Sequence, residues 1–376
     1  MVYMDGDNNL DGAAVQDFNE MAEVGSADSV NVIVLIDRKD KPASIYKVER
    51  GITLDKASPL IEKGEVNMGN PETLKEFVEY AVSNFPAEKV ALIFWNHGDG
   101  WRSIGRNKRI FKAASYDEDD GNGTEDPLYM WEVVKALKDL KEKGISVNLI
   151  GFDECLMGMA EVAIDIANYA EDIVFSEITE PYDGWDYKKV LTSLTENPTQ
   201  SPNSFAKSIV DSYYQAYGSY SGSYTLSAVE SSQTELIKQA INDFASYYLS
   251  LNSKDSIKSE ILNARDKSLE ADDHYGSNDE NTYVDIKSLF ENIYNDTSDS
   301  TLKEKAANVL NALNIYTKSV GENYSGISIY FPKSSDSYEY EYGFEVPSYS
   351  YYYGNNYYNP ASSQWKWNEF LEDLLN

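Results

Sequence analysis

The chain has 376 residues, with 32 Lys and Arg against 63 Asp and Glu, which gives a formal net charge of −31 at pH 7. Such an acidic surface repels phosphate backbones and anionic membranes, so we expect no nucleic-acid partner. A single cysteine excludes an intramolecular disulfide, and one cysteine with two histidines argues against a Cys/His zinc site.

The first half of the chain alternates apolar runs of strand length with helical patterns. The apolar runs are 31–38, 89–98 and 146–155, and continuous runs of this kind are typical of strands buried on both faces of a parallel sheet. Between them, 70–85 has a Pro directly after a candidate Asn cap, and 129–144 ends at a glycine. This order predicts an α/β fold, an αβα sandwich with a mostly parallel central sheet flanked by helices.

The second half continues the alternation less regularly. We expect 1–376 to form a single domain, with a core in 1–190 and a C-terminal part in 191–376 packed on the same sheet. The Tyr-rich segment 336–363 is expected to be a surface loop, either packed on the domain or binding a partner. The patterns predict helices at 203–217, 233–251 and 365–375 and strands at 224–230 and 325–332.

Two residues able to do covalent chemistry follow predicted strands: His97 in WNHGDGW and Cys155, the only cysteine, in GFDEC. Because reactive groups collect at the carboxyl ends of parallel strands, neighbouring strands would bring these side chains together across a cleft. Cys155 is also predicted to lie in the first turn of a helix, where the helix and a nearby imidazole favour the thiolate. His97 would act as base and then as acid, and the backbone N–H groups of Gly98 and Cys155 would form an oxyanion hole.

The acidic residues around Cys155 predict a cation on the substrate. Asp153 stands two residues before Cys155, so on a strand it would point to the same side. A carboxylate beside a thiol opposes ionisation of the thiol, so its presence makes sense if Asp153 lines a neighbouring pocket that receives a positive charge. Asp183, in EPYDGWDY, is a candidate second wall of this pocket. The pair predicts Arg or Lys before the scissile bond.

Five motifs are spread from residue 3 to residue 332: YMDGDNNLD, FWNHGDGW, GFDECLMGMAEVA, SEITEPYDGWDY and SGISIYFP. Together, and in this order, they resemble the clostripain family of cysteine peptidases, which belongs to the caspase-like clan. The resemblance implies an endopeptidase in which His97 and Cys155 form the catalytic dyad. It further implies that Asp153 and Asp183 line an acidic S1 pocket, the pocket for the residue before the scissile bond, and select Arg or Lys there.

The resemblance also implies self-processing between His97 and Cys155. The basic stretch 105–112 lies in this interval and offers three candidates for the residue before the cut, namely Lys108, Arg109 and Lys112. A solvated basic loop is the alternative interpretation of this stretch.

Metal binding stays open at this point. The runs 5–12 and 117–127 are rich in Asp, Asn and Gly, but neither has the spacing of an EF-hand, since Leu10 stands where the first run needs its glycine. The sequence therefore requires no cofactor and assigns no metal ligand, whereas the resemblance keeps calcium open. The run 5–12 follows an apolar strand and would otherwise shape the active site.

Two alternatives compete with a His97–Cys155 peptidase. One is a catalytically silent caspase-like binding or scaffold module that grips basic peptides. The other is a papain-like arrangement that would use His274, downstream of Cys155, although the papain signature around the cysteine is absent. We expect a monomer without a membrane span that acts on peptides or proteins with Arg or Lys. It should be secreted or at the cell surface, its signal peptide being absent from this sequence.

Overall fold

The computed structural model describes residues 1–101, 116–117, 126–271, 281–338, 342 and 365–376. In these ranges the strands are, in chain order, β1 (Val2–Gly6), β2 (Ile33–Arg38), β3 (Lys41–Lys47), β4 (Ile61–Gly64), β5 (Ala91–Trp95), β6 (Tyr116–Asp117), β7 (Asp126–Pro127), β8 (Leu149–Asp153), β9 (Asp172–Phe175), β10 (Tyr224–Glu230), β11 (Glu270–Ala271), β12 (Tyr283–Asp285), β13 (Tyr316–Val320) and β14 (Ser328–Tyr330).

Nine of these strands form one large sheet in the order β13-β10-β9-β8-β5-β1-β2-β3-β4. The pairs from β9 through β8, β5 and β1 to β2 are parallel, and the pairs at both ends of the sheet are antiparallel. Strands β10 and β13 come from the second half of the chain, so both halves contribute to this sheet. The predicted α/β fold with a parallel centre is confirmed.

Side chains of the central strands alternate between two hydrophobic cores, one on each face of the sheet. Tyr3, Phe94 and Phe152 point into the first core, whereas Met4 and Trp95 point into the second. The rings of Phe94 and Phe152 stack with their centroids 5.2 Å apart. Burial on both faces explains why these strands are apolar at consecutive positions.

Helices cover both faces of the sheet and make the fold a three-layer sandwich. The first core lies under α2, α3, α4 and α7 to α11, and the second under α1, α5 and α6. The helices of the described ranges are α1 (Asp11–Val24), α2 (Pro71–Asn84), α3 (Met130–Glu142), α4 (Ala160–Ile166), α5 (Tyr187–Glu196), α6 (Pro202–Tyr217), α7 (Ser231–Ser250), α8 (Asp255–Asp266), α9 (Ile286–Asp296), α10 (Ser300–Ala312) and α11 (Trp367–Leu375).

Local signals set the ends of the helices that the sequence predicts best. Helix α2 starts where expected, because the Asn70 side chain accepts a hydrogen bond from the backbone N–H of Glu72 at 2.9 Å and Pro71 occupies the first helical position. Helix α3 is followed by Gly144, whose φ of 81° suits the residue after a helix. None of the described helices is both long and apolar enough to cross a membrane.

A small sheet from the second half of the chain, β11-β12-β14, lies against the loops that follow β5 and β8. Ser328 in β14 donates its backbone N–H to Gly158 O at 2.8 Å, and the Tyr283 hydroxyl in β12 donates to Asp99 O at 2.7 Å. Of the Tyr-rich segment 336–363, only 336–338 and 342 are described, so the expected surface loop lies largely outside the described residues.

Candidate active site

His97 and Cys155 follow two neighbouring strands at the same edge of the sheet. Strands β5 and β8 pair in parallel, with Trp95 opposite Asp153 at their carboxyl ends. His97 and Cys155 each lie two positions beyond this pair. The register therefore places the two loops that carry them side by side.

Gly98 shows how closely these two loops approach. A Cβ atom at this position would lie 2.3 Å from the backbone oxygen of Cys155 and 2.9 Å from side-chain atoms of Glu154 and Met157. No real Cβ tolerates such contacts, so only glycine lets the residue after His97 rest on the backbone of Cys155. The loops are in van der Waals contact at the predicted dyad.

The predicted helix at Cys155 is wrong. Helix α4 begins at Ala160, with Met159 as its N-cap, five positions after the cysteine. The residue after Cys155, Leu156, has a φ of 63°, which an L residue rarely adopts and which breaks the helical path. Cys155 therefore lies in a turn before the helix, and the α4 N-terminus does not supply the charge stabilisation that the sequence suggested.

Contacts with the loop after β9 hold this turn in place. Leu156 donates its backbone N–H to Ile178 O at 3.3 Å, and Gly158 donates its N–H to Ser176 O at 2.6 Å. A left-handed conformation at a branched residue costs about 1–3 kcal/mol, so it persists where surrounding contacts enforce it. The cysteine is thus presented on a strained turn held by a distant part of the chain.

The sulfur of Cys155 has a backbone donor of its own. The residue is half-buried, and its Sγ accepts the backbone N–H of Glu180 at 3.2 Å. A hydrogen bond to sulfur stabilises negative charge there, because it places the positive end of the N–H dipole against it. In this fold the loop after β9 has the role that the sequence assigned to a helix N-terminus.

The His97 ring is held by the loop after β1. Its Nε2 lies 2.7 Å from Oδ1 of Asn9, and its backbone N–H donates to Oδ1 of Asn96. Asn96 in turn donates its Nδ2 to Oδ2 of Asp5 at 2.6 Å. The run 5–12 therefore shapes the surroundings of His97, as its place at a strand end suggested.

Asp153 is buried on the far side of β8 from the first core. Its Oδ1 accepts the backbone N–H of Trp185 at 3.1 Å, and it faces Trp185 and Tyr187 in the layer of α1, α5 and α6. Cys155 lies two residues beyond the end of the strand and contacts the first core, so strand alternation does not set its direction relative to Asp153.

Burial leaves the Asp153 carboxyl in an acidic environment. Loss of hydration raises the pKa of Asp153 to about 7, against the opposing effect of hydrogen bonds from its neighbours. Asp17, in α1, is buried nearby, and burial followed by the charge of Asp153 raises its pKa to about 9. Within the described ranges no Lys or Arg forms an ion pair with either carboxyl. The site therefore contains buried carboxyls without a cationic partner, and burial favours their protonated forms.

Glu180 connects this acidic group with the cysteine. Its backbone N–H reaches Cys155, while its carboxyl lies against that of Asp153. Burial, followed by the charges of Asp153 and Cys155, raises the pKa of Glu180 well above its usual range. Two carboxyls in contact cannot both ionise easily, so this arrangement favours one proton shared between the two groups.

Asp183 lies near this acidic group but outside its buried part. Its side chain is exposed, and its charge contributes to the raised pKa of Asp17 and of Tyr217. The Tyr217 hydroxyl donates to the backbone oxygen of Gly184 at 2.7 Å, which ties the Asp183 loop to α6. Of the two aspartates that the sequence proposed for one pocket, Asp153 is buried and Asp183 is exposed.

Comparison with known proteins decides the family. A model of the clostripain family matches residues 2–374. Clostripain from Hathewaya histolytica is 30% identical over 404 aligned residues, which cover 90% of this chain and 75% of that protein. The chain belongs to the clostripain family. It is therefore a cysteine peptidase, as the five sequence motifs predicted.

Solved structures share the fold of this clostripain-family chain. One is a secreted C11 cysteine protease from Bacteroides thetaiotaomicron in complex with an irreversible peptide inhibitor, with a TM-score of 0.68, 21% identity and coverage of 93% of this chain and 95% of that one. Another is an inactive zymogen C11 protease from Parabacteroides distasonis, with a TM-score of 0.66, 17% identity and coverage of 88% and 90%. The predicted caspase-like sandwich is confirmed.

Four residues from the sequence analysis lie outside the described residues of the clostripain-family chain, namely Lys108, Arg109, Lys112 and His274. The described part contains no group of three or more His, Cys, Asp or Glu side chains arranged to hold a metal ion. Most of the run 117–127 also lies outside the described residues.

Two residues of the site are missing from the sequence-based prediction. Asn9 is the second of two consecutive asparagines in a run that resembles an ion-binding loop, and nothing in that run singles it out. Glu180 stands 25 residues after Cys155, in a loop without periodicity. Its place in the motif SEITEPYDGWDY is the signal that could have suggested it.

The buried carboxyls predict that the protein loses stability as the pH rises. Burial is the first cause of raised pKa values at Asp37 (about 9), Glu132 (about 8) and Glu161 (about 7), as it is at Asp17 and Asp153. Between an unfolded pKa of about 4 and these values, the folded state binds more protons than the unfolded state. The free energy of unfolding should therefore fall from about pH 5 to about pH 9.

Thermal melts across this range would check the prediction. Asp37→Asn provides a matched variant outside the candidate site, since an amide keeps the Oδ1 acceptor for the Arg38 backbone N–H. Its melting temperature should depend less steeply on pH than that of the wild type. A wild-type melting temperature that rises with pH over this range would contradict the prediction.

Proposed function

We propose that this protein is an endopeptidase that cleaves peptide bonds after Arg or Lys, with Cys155 as nucleophile and His97 as general base and acid. The observation that carries the proposal is the pair of carboxyls of Asp153 and Glu180, whose oxygens are buried near the thiol. Burial disfavours the ionised form of these carboxyls, and a cationic side chain entering beside Cys155 would stabilise that ionised form. A substrate with an uncharged side chain before the scissile bond offers no such stabilisation.

The dyad assignment is supported by the contact between the two loops and by the chemistry of the side chains. The Cys155 sulfur attacks the carbonyl carbon of the residue before the cut, and His97 accepts the thiol proton. The imidazolium then gives this proton to the leaving amine, and a thioester remains. Water hydrolyses the thioester with His97 again as base, which restores the thiol.

Backbone N–H groups would stabilise the oxyanion of each tetrahedral intermediate. The Gly98 N–H makes no hydrogen bond among the described residues, and the glycine rests directly on Cys155. With the N–H of Cys155 it would supply two donors that need no reorganisation during the reaction. Donors of this type contribute about 10²- to 10³-fold to kcat in other enzymes.

The proposed S1 pocket combines a buried carboxylate at its base with an exposed one at its mouth. Asp153 and Glu180 would meet the cationic end of the Arg or Lys side chain, and Asp183 would attract it from solvent. The aromatic side chains of Tyr213 and Tyr217 lie beside these carboxyls, whose charges raise the pKa of both tyrosines after burial does. They would pack along the aliphatic stem of the substrate residue.

We further propose secretion and self-processing between His97 and Cys155, with Lys108, Arg109 and Lys112 as candidates for the residue before the cut. One similar structure is described as a secreted protease and another as an inactive zymogen. The whole chain, 1–376, would act as a single peptidase domain, since strands β10 and β13 extend the sheet of the first half. The proposed chemistry itself needs no cofactor.

Short fluorogenic peptides ending in Arg, Lys, Asp or Leu test this function, with and without calcium. The Cys155→Ala variant from the same preparation is the control, and the intact mass of each protein is recorded. We expect cleavage after Arg or Lys that disappears in Cys155→Ala, and a break within 105–112 only in the wild type. Cleavage after Asp or Leu would overturn the pocket assignment. Silence on all four peptides with an unbroken chain would favour a catalytically silent module.

A further inference from the structure

The partner of the His97 ring determines which of its two nitrogens carries the proton. Nε2 lies 2.7 Å from Oδ1 of Asn9. A carboxamide oxygen only accepts hydrogen bonds, so Nε2 must be the donor in this contact. In the neutral imidazole the lone pair then resides on Nδ1, which is the nitrogen able to take a proton.

The loop that carries Asn9 is fixed to the loop that carries His97. The adjacent Asn8 accepts the backbone N–H of Leu10 at 2.8 Å through Oδ1 and donates its Nδ2 to Oδ1 of Asn96 at 3.2 Å. The same Asn96 oxygen accepts the backbone N–H of His97. The backbone on both sides of the Asn9–His97 contact is therefore held by one hydrogen-bonded network.

We propose that Asn9 is a positioning residue that keeps the proton of His97 on Nε2 and so presents Nδ1 to the thiol. This inference deepens the proposed function, because it rests on His97 being the general base. Asn9 does not touch the substrate in this role. It acts through the orientation and tautomer of the ring, in the way that an acceptor behind a reacting histidine commonly does.

The neutral amide matters as much as its geometry. The surroundings of His97 already contain Asp5, which accepts a hydrogen bond from Asn96, and Glu154, which lies beside Gly98. Burial and the neighbouring charges raise the pKa of Glu154 well above its usual range. A carboxylate at position 9 would add a further negative charge directly behind His97 and favour the imidazolium, which cannot accept the thiol proton. An asparagine holds the ring without this penalty.

Two substitutions separate positioning from general stability. Asn9→Ala should lower kcat for an Arg peptide by about 10- to 100-fold with little change in KM, as loss of a supporting hydrogen bond does at other sites. Asn9→Asp should keep the acceptor but move the acid limb of the pH profile of kcat/KM to higher pH by about one unit. Asn84→Ala, at an exposed asparagine at the end of α2, is the control and should match the wild type.

The tautomer itself is visible by NMR and does not depend on activity. The chain has two histidines, so a ¹⁵N-histidine label gives two ring systems, and His274→Ala assigns them. At about pH 8, where an ordinary histidine is neutral, His97 should show its proton on Nε2 in the wild type and a mixture of tautomers in Asn9→Ala. This result would support the role of Asn9 even if no peptide is cleaved. A failure of the proposed function could therefore be distinguished from a failure of this inference.

Two results would overturn the role of Asn9. One is a wild-type His97 with its proton on Nδ1, since this would mean that the amide nitrogen faces the ring. The other is an Asn9→Ala variant with the tautomer, kcat and pH profile of the wild type. Equal melting temperatures of the wild type and Asn9→Ala would show that a loss in kcat does not come from unfolding.

Discussion

The His97→Ala variant should lose about 10²- to 10⁴-fold in kcat towards an Arg peptide, whereas His274→Ala should keep the activity of the wild type. His97 follows β5 at the edge where β8 delivers Cys155, and its neighbour Gly98 rests on the cysteine backbone. Removal of the imidazole takes away both the acceptor of the thiol proton and the donor to the leaving amine. The KM should change far less than kcat, since the proposed S1 carboxyls remain.

Alkylation of the thiol separates loss of chemistry from loss of fold in this experiment. Cys155 is the only cysteine, so the mass added by iodoacetamide reports on this one sulfur. His97→Ala should still be alkylated at Cys155, because the sulfur keeps its hydrogen bond from the Glu180 N–H. Loss of activity in His274→Ala with full activity in His97→Ala would reverse the assignment and favour the papain-like order.

The centre of the sheet could be predicted from the sequence because its physics is local. Apolar residues at consecutive positions require burial on both faces, and the polar or glycine residues after 38, 95 and 153 mark strand ends at one edge. Parallel strands then place their carboxyl ends at one edge of the sheet, so His97 and Cys155 are expected to lie close together. The pairing of Trp95 with Asp153 brings the loops that carry His97 and Cys155 into contact.

The turn at Cys155 could not be predicted in this way, because it depends on residues distant in the chain. The helical pattern of 155–166 begins at the cysteine. In the structure, however, the backbone N–H groups of Leu156 and Gly158 donate to the backbone oxygens of Ile178 and Ser176. These tertiary bonds override the local propensity and delay the helix to Ala160. The role of Glu180 could not be predicted for a related reason. Its backbone N–H contacts Cys155 and its carboxyl contacts Asp153, and both residues are distant from it in the chain.

The Asp153→Asn variant should lose about 10²- to 10³-fold in kcat/KM for Arg and Lys peptides and yet become more stable at alkaline pH. Removing one partner of a buried charge pair costs about 3–5 kcal/mol, which sets the scale of the lost activity. Without substrate the same carboxyl has no cation, and burial raises its pKa to about 7. An amide is not ionised, so the melting temperature at about pH 8.5 should rise rather than fall.

Asp183→Asn is the matched control, because it makes the same chemical change at the exposed end of the pocket. Its charge is screened by solvent, so kcat/KM should fall by about tenfold or less, and the loss should shrink further in high salt. Opposite signs for activity and stability in Asp153→Asn cannot come from misfolding, which lowers both. They are expected where a buried carboxyl has no cationic partner until a substrate binds. An Asp153→Asn enzyme that cleaves after Arg as well as the wild type would place the recognition of the cation elsewhere.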